Sequence, residues 1–156
     1  KSKPIALYGR DSASGTYGFF KEHVLEKKDY KPTVKEQKGS SGVVQAVGSD
    51  KFGMGYSGIG YVTSDVKALK VIGKGTKKAV EANAANAYSG EYPIARFLMV
   101  YINHNPKAEL DPLRAEFIKM IYSKDGQEVV VKDGFFPITP DVAREDLKKV
   151  GLKANF

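Results

Sequence analysis

Hydrophobic residues follow two different spacings along this chain, and segments of the two kinds alternate. Short apolar or alternating runs are typical of strands, and they predict strands at residues 4–8, 33–36, 52–56, 69–72 and 97–102. Apolar residues three or four positions apart predict helices at residues 17–27, 43–47, 112–122, 124–131 and 140–150. Strands that alternate with helices indicate an α/β fold, with a mixed sheet flanked by helices.

Some of these segments carry more detailed predictions. The helices at 17–27 and 112–122 are expected to direct large side chains into a core, namely Phe20, Val24, Leu25, Phe117, Met120 and Ile121. The run at 97–102 is the most apolar in the chain, so we expect it to be a central strand. The segment 74–90 is polar and rich in alanine, and it predicts a helix followed by a loop.

Residues 8–20 have the clearest chemistry, because a strand, a polar loop and a helix start follow one another there. The first amides of a helix lack intrahelical partners, and the helix dipole favours an anion in front of them. Ser14 and Thr16 add hydroxyl donors, and Gly15 lets a ligand approach the backbone closely. Arg10 presents a planar fork that matches two oxygens of a tetrahedral oxyanion. The sequence therefore predicts an anion site at Arg10, Ser14, Gly15 and Thr16.

A plainer explanation exists for the same residues. A Ser-Gly-Thr sequence ahead of a helix is also an ordinary N-cap with a turn glycine. A loop that only caps a helix does not need a guanidinium at position 10, and for that reason we favour the anion site. Asp11 is close enough in sequence to orient Arg10 through a salt bridge, and Ser12 beside it is a further supporting candidate.

A second polar loop, residues 39–42, follows the strand predicted at 33–36. Open α/β sheets bind ligands at the carboxyl ends of their strands, so Ser41 and Gly42 are candidates to support the same site. An N-cap for the next helix explains this loop equally well. Ser57 has less support, and Arg96 could either reach a cleft or pair with a surface acid.

The composition excludes several other kinds of chemistry. Among 156 residues there is no cysteine, and the two histidines, His23 and His104, lack metal-ligand spacing, so we predict neither a metal nor a cofactor. The sequence contains no Gly-X-Ser-X-Gly elbow and no P-loop spacing. The net charge of +7 suggests an anionic partner. Acids are interleaved with the basic residues, which argues against nucleic-acid binding.

The run from Gly9 to Phe20 resembles the phosphate-gripping segment of the phosphate-binding proteins that serve ABC transporters. In that family an Arg is followed by three variable residues and Ser-Gly-Thr, and residues 10–16 match this pattern in full. Further stretches fit the same family in order: residues 40–47, 53–61, 92–96 and 123–128. The resemblance therefore extends over nearly the whole chain.

This resemblance implies a periplasmic-binding-protein-like lobe and a function in binding inorganic phosphate for an ABC importer. The implied partners are inorganic phosphate, the membrane permease of the transporter and an N-terminal lobe missing from this sequence. Residues 4–92 would form the anion-binding lobe, and residues 93–156 would return toward the first lobe or complete a single α/β domain. The chain begins Lys-Ser-Lys-Pro, which we interpret as the start of a processed or truncated piece. The implied location is extracytoplasmic, either periplasmic or as a cell-surface lipoprotein.

Two functions from other classes stay open at this point. One is an enzyme that acts on phosphate esters and grips them with the same loop, although we expect no catalysis because no nucleophile–base pair or metal cluster is evident. The other is an adhesion or sensing module that reuses the fold with little ligand binding, since fold alone does not fix function.

Overall fold

A computed structural model describes residues 3–154, and the chain forms two compact units. The first unit ends at Arg96 and the second begins at Phe97. The first unit contains β1 (Ala6–Arg10), α1 (Gly15–His23), β2 (Lys35–Gln37), α2 (Gly39–Gly48), β3 (Gly53–Gly55), a 3-10 turn (Ile59–Tyr61), β4 (Val71–Ile72), β5 (Ala79–Val80) and α3 (Ala84–Tyr88). The second contains α4 (Pro112–Tyr122), α5 (Lys124–Lys132) and α6 (Pro140–Lys149).

The principal sheet has the strand order β2-β1-β3, with β1 in the centre and both pairings parallel. Its register places Arg10 opposite Gln37 on one side and Tyr8 opposite Gly55 on the other. Helix α1 connects β1 to β2 on one side of the sheet's centre, and α2 connects β2 to β3 on the other side. The two connections therefore cross the sheet in opposite directions. The α/β prediction is confirmed. A ligand site is expected at the carboxyl end of β1.

The core of the first unit lies where α2 packs on this sheet. Val43 and Val44 are buried on α2, at 1% and 8% exposure. Gly55 allows this close packing, because a Cβ there would lie 2.8 Å from the Tyr8 carbonyl oxygen and 2.9 Å from a Val43 methyl carbon. The glycine at position 55 of β3 therefore lets α2 pack closely on β1, the strand that ends at the candidate site.

A small second sheet pairs β4 with β5 in antiparallel register, Val71 opposite Val80. The β4 strand was predicted from the sequence as part of 69–72, whereas β5 was not. The helix and loop predicted over 74–90 are found only in part, because residues 74–83 are loop and β5 and the helix is limited to α3 and the turn after it. Residues Ala79 and Val80 were missed because two residues are too few to show a hydrophobic period.

Side-chain caps explain where most helices start. Ser14, Asp111, Ser123 and Thr139 each accept a hydrogen bond from a backbone N–H in the first turn of α1, α4, α5 and α6. Proline occupies the first turn of α4 and α6, where its missing N–H costs nothing. The three helices of the second unit therefore begin where the sequence predicted.

The prediction of a central strand at 97–102 is wrong. Residues 97–102 have no strand assignment, and no strand partner is found for them within the part of the chain described here. Phe97, Leu98, Met99, Val100 and Tyr101 are between 55% and 89% exposed. An isolated strand leaves its N–H and C=O groups unpaired, so an apolar run becomes a strand only beside another one.

Three inward-facing side chains were also predicted incorrectly. Val24 is 40% exposed because α1 ends at His23, before Val24 can complete an inward face. Phe117 and Met120 of α4 are 56% and 49% exposed. In α4 the buried residues are instead Ala115 and Ile118, which belong to a different face of the helix.

No helix of residues 3–154 has the length and hydrophobicity needed to cross a membrane.

Candidate anion-binding site

The candidate site lies at the carboxyl end of β1, the central strand of the principal sheet. Arg10 is the last residue of this strand, and the loop from Asp11 to Ser14 leads directly into α1. In a parallel sheet, a crevice forms at the carboxyl ends of the strands where successive connections run to opposite sides. The predicted residues Arg10, Ser14, Gly15 and Thr16 are therefore brought to one place by the topology.

The N-terminus of α1, where the candidate anion site was predicted, is capped by the Ser14 side chain. Ser14 has extended backbone angles, and its Oγ accepts a hydrogen bond of 3.1 Å from the Thr16 amide. A serine hydroxyl has two acceptor lone pairs and one donor hydrogen, so Ser14 can cap the helix and still donate to an anion. The cap and the anion site, which the sequence offered as alternatives, are compatible.

Arg10 is half-buried, and its charge is not neutralised by a neighbouring acid. Its Nη1 donates a hydrogen bond of 2.9 Å to the Ser40 Oγ. Its Nε is buried without a hydrogen-bond partner. Among residues 3–154 no carboxylate lies within ion-pair distance of the guanidinium. A partly desolvated cation without a counter-ion is strongly favourable for an incoming anion.

Gly9 controls how closely the strand packs beneath Arg10. A Cβ at position 9 would lie 2.9 Å from Cε1 of Tyr56 and 3.1 Å from a Val34 methyl carbon. The Tyr56 ring is in turn stacked on Phe20 of α1, with the ring centroids 4.1 Å apart. Glycine at position 9 therefore lets an aromatic layer pack directly on the backbone that presents Arg10.

Tyr17 and Tyr30 complete this aromatic layer. Their ring centroids are 4.4 Å apart, and the Tyr30 hydroxyl donates a 2.9 Å hydrogen bond to the Tyr17 carbonyl oxygen. Burial raises the pKa of the Tyr30 hydroxyl well above its usual value, and it also raises the pKa of the Tyr56 hydroxyl. Both rings consequently stay neutral near the site, so they add no negative charge that would repel an anion.

Asp11 does not form the salt bridge with Arg10 that the sequence suggested. Its carboxylate instead accepts a 3.1 Å hydrogen bond from the Ala13 amide, and its carbonyl oxygen accepts one of 3.0 Å from the Ser14 amide. The short aspartate side chain satisfies its own loop, as is common in turns. Ser12 in the same loop is exposed. Asp11 thus shapes the approach to α1 without neutralising Arg10.

The second polar loop of the sequence analysis, residues 39–42, is in fact the first turn of α2, and it reaches Arg10 through a residue that the sequence prediction did not select. Ser40, rather than Ser41, contacts Arg10, while Ser41 is exposed and Gly42 lies near the Gln37 side chain. Ser57 supports this loop by donating a 2.9 Å hydrogen bond to the Ser40 carbonyl oxygen. The pairing of Arg10 with Gln37 across the parallel strands brings the two loops together, and pairing of this kind is not visible in a linear sequence.

Arg96 lies near the start of α1. Its guanidinium carbon is 5.2 Å from the centre of the Phe19 ring, a cation–π distance. A Cβ on Gly15 would lie 3.5 Å from one of its terminal nitrogens, so a second positive charge is close to the helix N-terminus.

The described residues contain no cluster of three or more metal-ligating side chains.

Comparison with known proteins places this geometry in a family. The family model of the PBP superfamily domain matches residues 1–125. The chain belongs to the PBP superfamily. The match includes the whole candidate site and the sheet that carries it, and it confirms the periplasmic-binding-protein-like fold expected from the resemblance.

Curated relatives match the sequence over most of this chain. It is 51% identical over 150 residues to the phosphate-binding protein PstS of Pseudomonas aeruginosa, with 96% of this chain and 46% of that protein covered. It is 33% identical over 142 residues to the phosphate-binding protein PstS 2 of Streptococcus pneumoniae, covering 86% of this chain and 45% of that protein. The chain therefore spans about half the length of the curated relatives it matches.

Solved structures agree with this assignment. A phosphate-binding protein of a phosphate ABC transporter from Streptococcus pneumoniae superposes with a TM-score of 0.67 at 28% identity, covering 88% of this chain and 53% of that one. A Clostridium perfringens protein whose crystal structure contains bound phosphate also has a TM-score of 0.67, at 29% identity, covering 89% of this chain and 54% of that one. The sequence resemblance to phosphate-binding proteins is confirmed.

Proposed function

We propose that this chain is one half of a two-lobed receptor that binds inorganic phosphate and delivers it to an ABC importer. The observation that carries the proposal is the position of Arg10 at the end of the central strand, a half-buried guanidinium that no carboxylate of residues 3–154 pairs with. Its neighbours are the hydroxyls and amides at the N-terminus of α1. Phosphate needs this combination of charge and convergent donors.

Each predicted residue has a specific task in this proposal. Arg10 binds two phosphate oxygens through its planar fork and supplies the compensating charge. Ser14 donates its hydroxyl hydrogen while its lone pair continues to cap α1. Gly15 donates its backbone amide, and Thr16 donates its hydroxyl. The helix dipole adds to the attraction, because Ser14, Gly15 and Thr16 lie at the start of α1.

We also propose that two parts of the chain have different functions. Residues 4–92 act as the anion-binding lobe, and residues 93–156 return toward the other half of the receptor. Support comes from the exposed apolar run at 97–101, whose side chains are 55–89% exposed, and from the exposed Leu113, Phe117 and Met120 of α4. Exposed apolar side chains grouped in one segment are typical of a face that another part of a protein covers. The other half would also supply the remaining phosphate ligands.

The proposed partners and location follow from the relatives. A receptor that delivers phosphate to an importer meets a membrane permease outside the cytoplasm, so we assign this chain an extracytoplasmic location. We also propose that it catalyses no reaction on phosphate esters. A chromogenic phosphatase assay tests this directly, and turnover above the buffer blank that disappears in an Arg10→Ala variant would contradict a receptor without catalysis.

The test of the binding function is an Arg10→Ala variant in a version of the chain extended by the other half of the receptor. Loss of a charge-assisted, partly buried contact typically costs about 2–5 kcal/mol, which corresponds to a phosphate affinity reduced about thirtyfold or more. Arg144→Ala is the matched control, because Arg144 is an exposed arginine of α6 that only faces Asp141 at 3.8 Å. A loss below about tenfold for Arg10→Ala would remove Arg10 from the site.

A further inference from the structure

The guanidinium of Arg10 is held in an uncommon way. Buried or half-buried arginines are normally fixed by a carboxylate, which pairs with the charge and also partly cancels it. Here the side chain that accepts from Arg10 is the neutral hydroxyl of Ser40, at 2.9 Å from Nη1. Within residues 3–154 no acid takes this place, since Asp11 is occupied by the Ala13 amide.

Ser40 is itself well fixed. It lies in the first turn of α2, and its carbonyl oxygen accepts a 2.9 Å hydrogen bond from the Ser57 hydroxyl. The site of a Cβ on Gly58 is 3.6 Å from the Ser40 Oγ, so the segment 57–58 also packs against this hydroxyl. The segment 57–58 thus contacts both the backbone and the side chain of Ser40, and that serine fixes one arm of the Arg10 fork.

The neutrality of this partner has a consequence for anion binding. A carboxylate at the same distance would orient Arg10 equally well, but it would place a negative charge a few ångströms from the incoming anion. Two like charges a few ångströms apart repel each other strongly at the effective dielectric constant of a protein surface. A hydroxyl avoids this repulsion and leaves the full charge of Arg10 available.

We propose that Ser40, supported by Ser57, is a positioning residue that orients Arg10 for anion binding without neutralising it. The inference rests on the proposed phosphate-binding function. It assigns a role to a residue that the sequence prediction did not select. Ser40 acts through Arg10, so its removal has an effect only while Arg10 is present.

The test is a double-mutant cycle measured by calorimetric titration of inorganic phosphate into the extended chain. Ser40→Ala is expected to weaken phosphate binding about tenfold, because one arm of the guanidinium becomes free to rotate. Ser40→Thr retains the hydroxyl acceptor and should restore an affinity close to that of the original protein. In the Arg10→Ala background, Ser40→Ala should cause no further loss.

A carboxylate variant tests the importance of neutrality. Ser40→Asp retains an acceptor for Arg10 but cancels its charge, so it should bind phosphate more weakly than Ser40→Ala does. Ser49→Ala, at the other end of α2, is the control for a general effect of removing a serine hydroxyl from this helix, since its Oγ only donates to the Gln45 carbonyl. It should leave the phosphate affinity unchanged. Circular dichroism of all variants verifies that they are folded.

The outcomes separate this inference from the function on which it rests. If Arg10→Ala has no effect on affinity, the proposed function fails. If Arg10→Ala weakens binding about thirtyfold or more while Ser40→Ala binds phosphate normally, the function stands and the role of Ser40 is refuted. An equal loss from Ser40→Ala with and without Arg10 also refutes it, because Ser40 would then act independently of Arg10.

Discussion

Replacing Gly9 by alanine tests whether the aromatic layer really packs on the strand that presents Arg10. The added Cβ would lie 2.9 Å from Cε1 of Tyr56, at least about 0.6 Å inside an ordinary carbon–carbon contact. The Tyr56 ring cannot simply retreat, because it is stacked on Phe20 with a centroid distance of 4.1 Å. Val34 closes the same space at 3.1 Å. Overpacking of this kind typically costs about 1–3 kcal/mol.

We expect Gly9→Ala to lower the free energy of unfolding by about 1–2 kcal/mol, because alanine regains part of the cost through its smaller unfolded-state entropy. Hydrogen exchange of the β1 amides measures this loss where it occurs, and urea denaturation followed by circular dichroism measures it for the whole chain. The matched control is Gly18→Ala in α1, where a Cβ would meet no atom within 4 Å. That change should stabilise the protein by about 0.4–1 kcal/mol.

A second variant shows whether Tyr56 is responsible for the cost. In a Tyr56→Leu background the obstructing ring is absent, so Gly9→Ala should cost less than it does in the original protein, and the two changes should not be additive. The reasoning is refuted if Gly9→Ala is as harmless as Gly18→Ala. It is also refuted if the cost of Gly9→Ala is the same with and without the Tyr56 ring.

Two further predictions follow from the aromatic layer and the exposed apolar run. Burial raises the pKa of Tyr30 from its ordinary value near 10, so above about pH 10 the unfolded chain loses this proton first and the free energy of unfolding falls as pH rises. Tyr30→Phe should make the urea midpoint less dependent on pH above about pH 10, and an unchanged dependence would contradict the assigned burial. Amide exchange at 97–101 should be fast in this chain and slow in the extended chain, because we propose that the other half of the receptor covers this run; equally fast exchange in both would contradict that proposal.

Local signals were enough to predict much of this fold. Ser14, Asp111 and Thr139 are capping residues at the starts of helices, and each acts within three residues of its own position. The candidate anion site could be predicted for the same reason, because Arg10 and the Ser-Gly-Thr sequence lie within seven residues of one another. These features depend on short-range hydrogen bonds, and the pattern of side chains in a sequence records them directly.

The features that were missed depend on partners distant in the chain. Ser40 contacts Arg10 across 30 residues because β1 and β2 pair in parallel, and nothing in residues 39–42 distinguishes Ser40 from Ser41 in advance. The run at 97–102 has a strand composition, but its backbone state depends on a neighbouring strand. The exposure of Phe117 has the same origin, since the sequence records a hydrophobic face without recording what covers it.

The central claim is that the Arg10 loop is half of a phosphate site, and one calorimetric experiment tests it most directly. Phosphate, with sulfate as the control anion, is titrated into this chain and into the chain extended by the other half of the receptor. We expect tight, phosphate-selective binding by the extended chain and weak binding by this chain alone, because half of the donors are absent. Micromolar phosphate binding by this chain alone would contradict the half-site, and no binding by either chain would contradict phosphate capture itself.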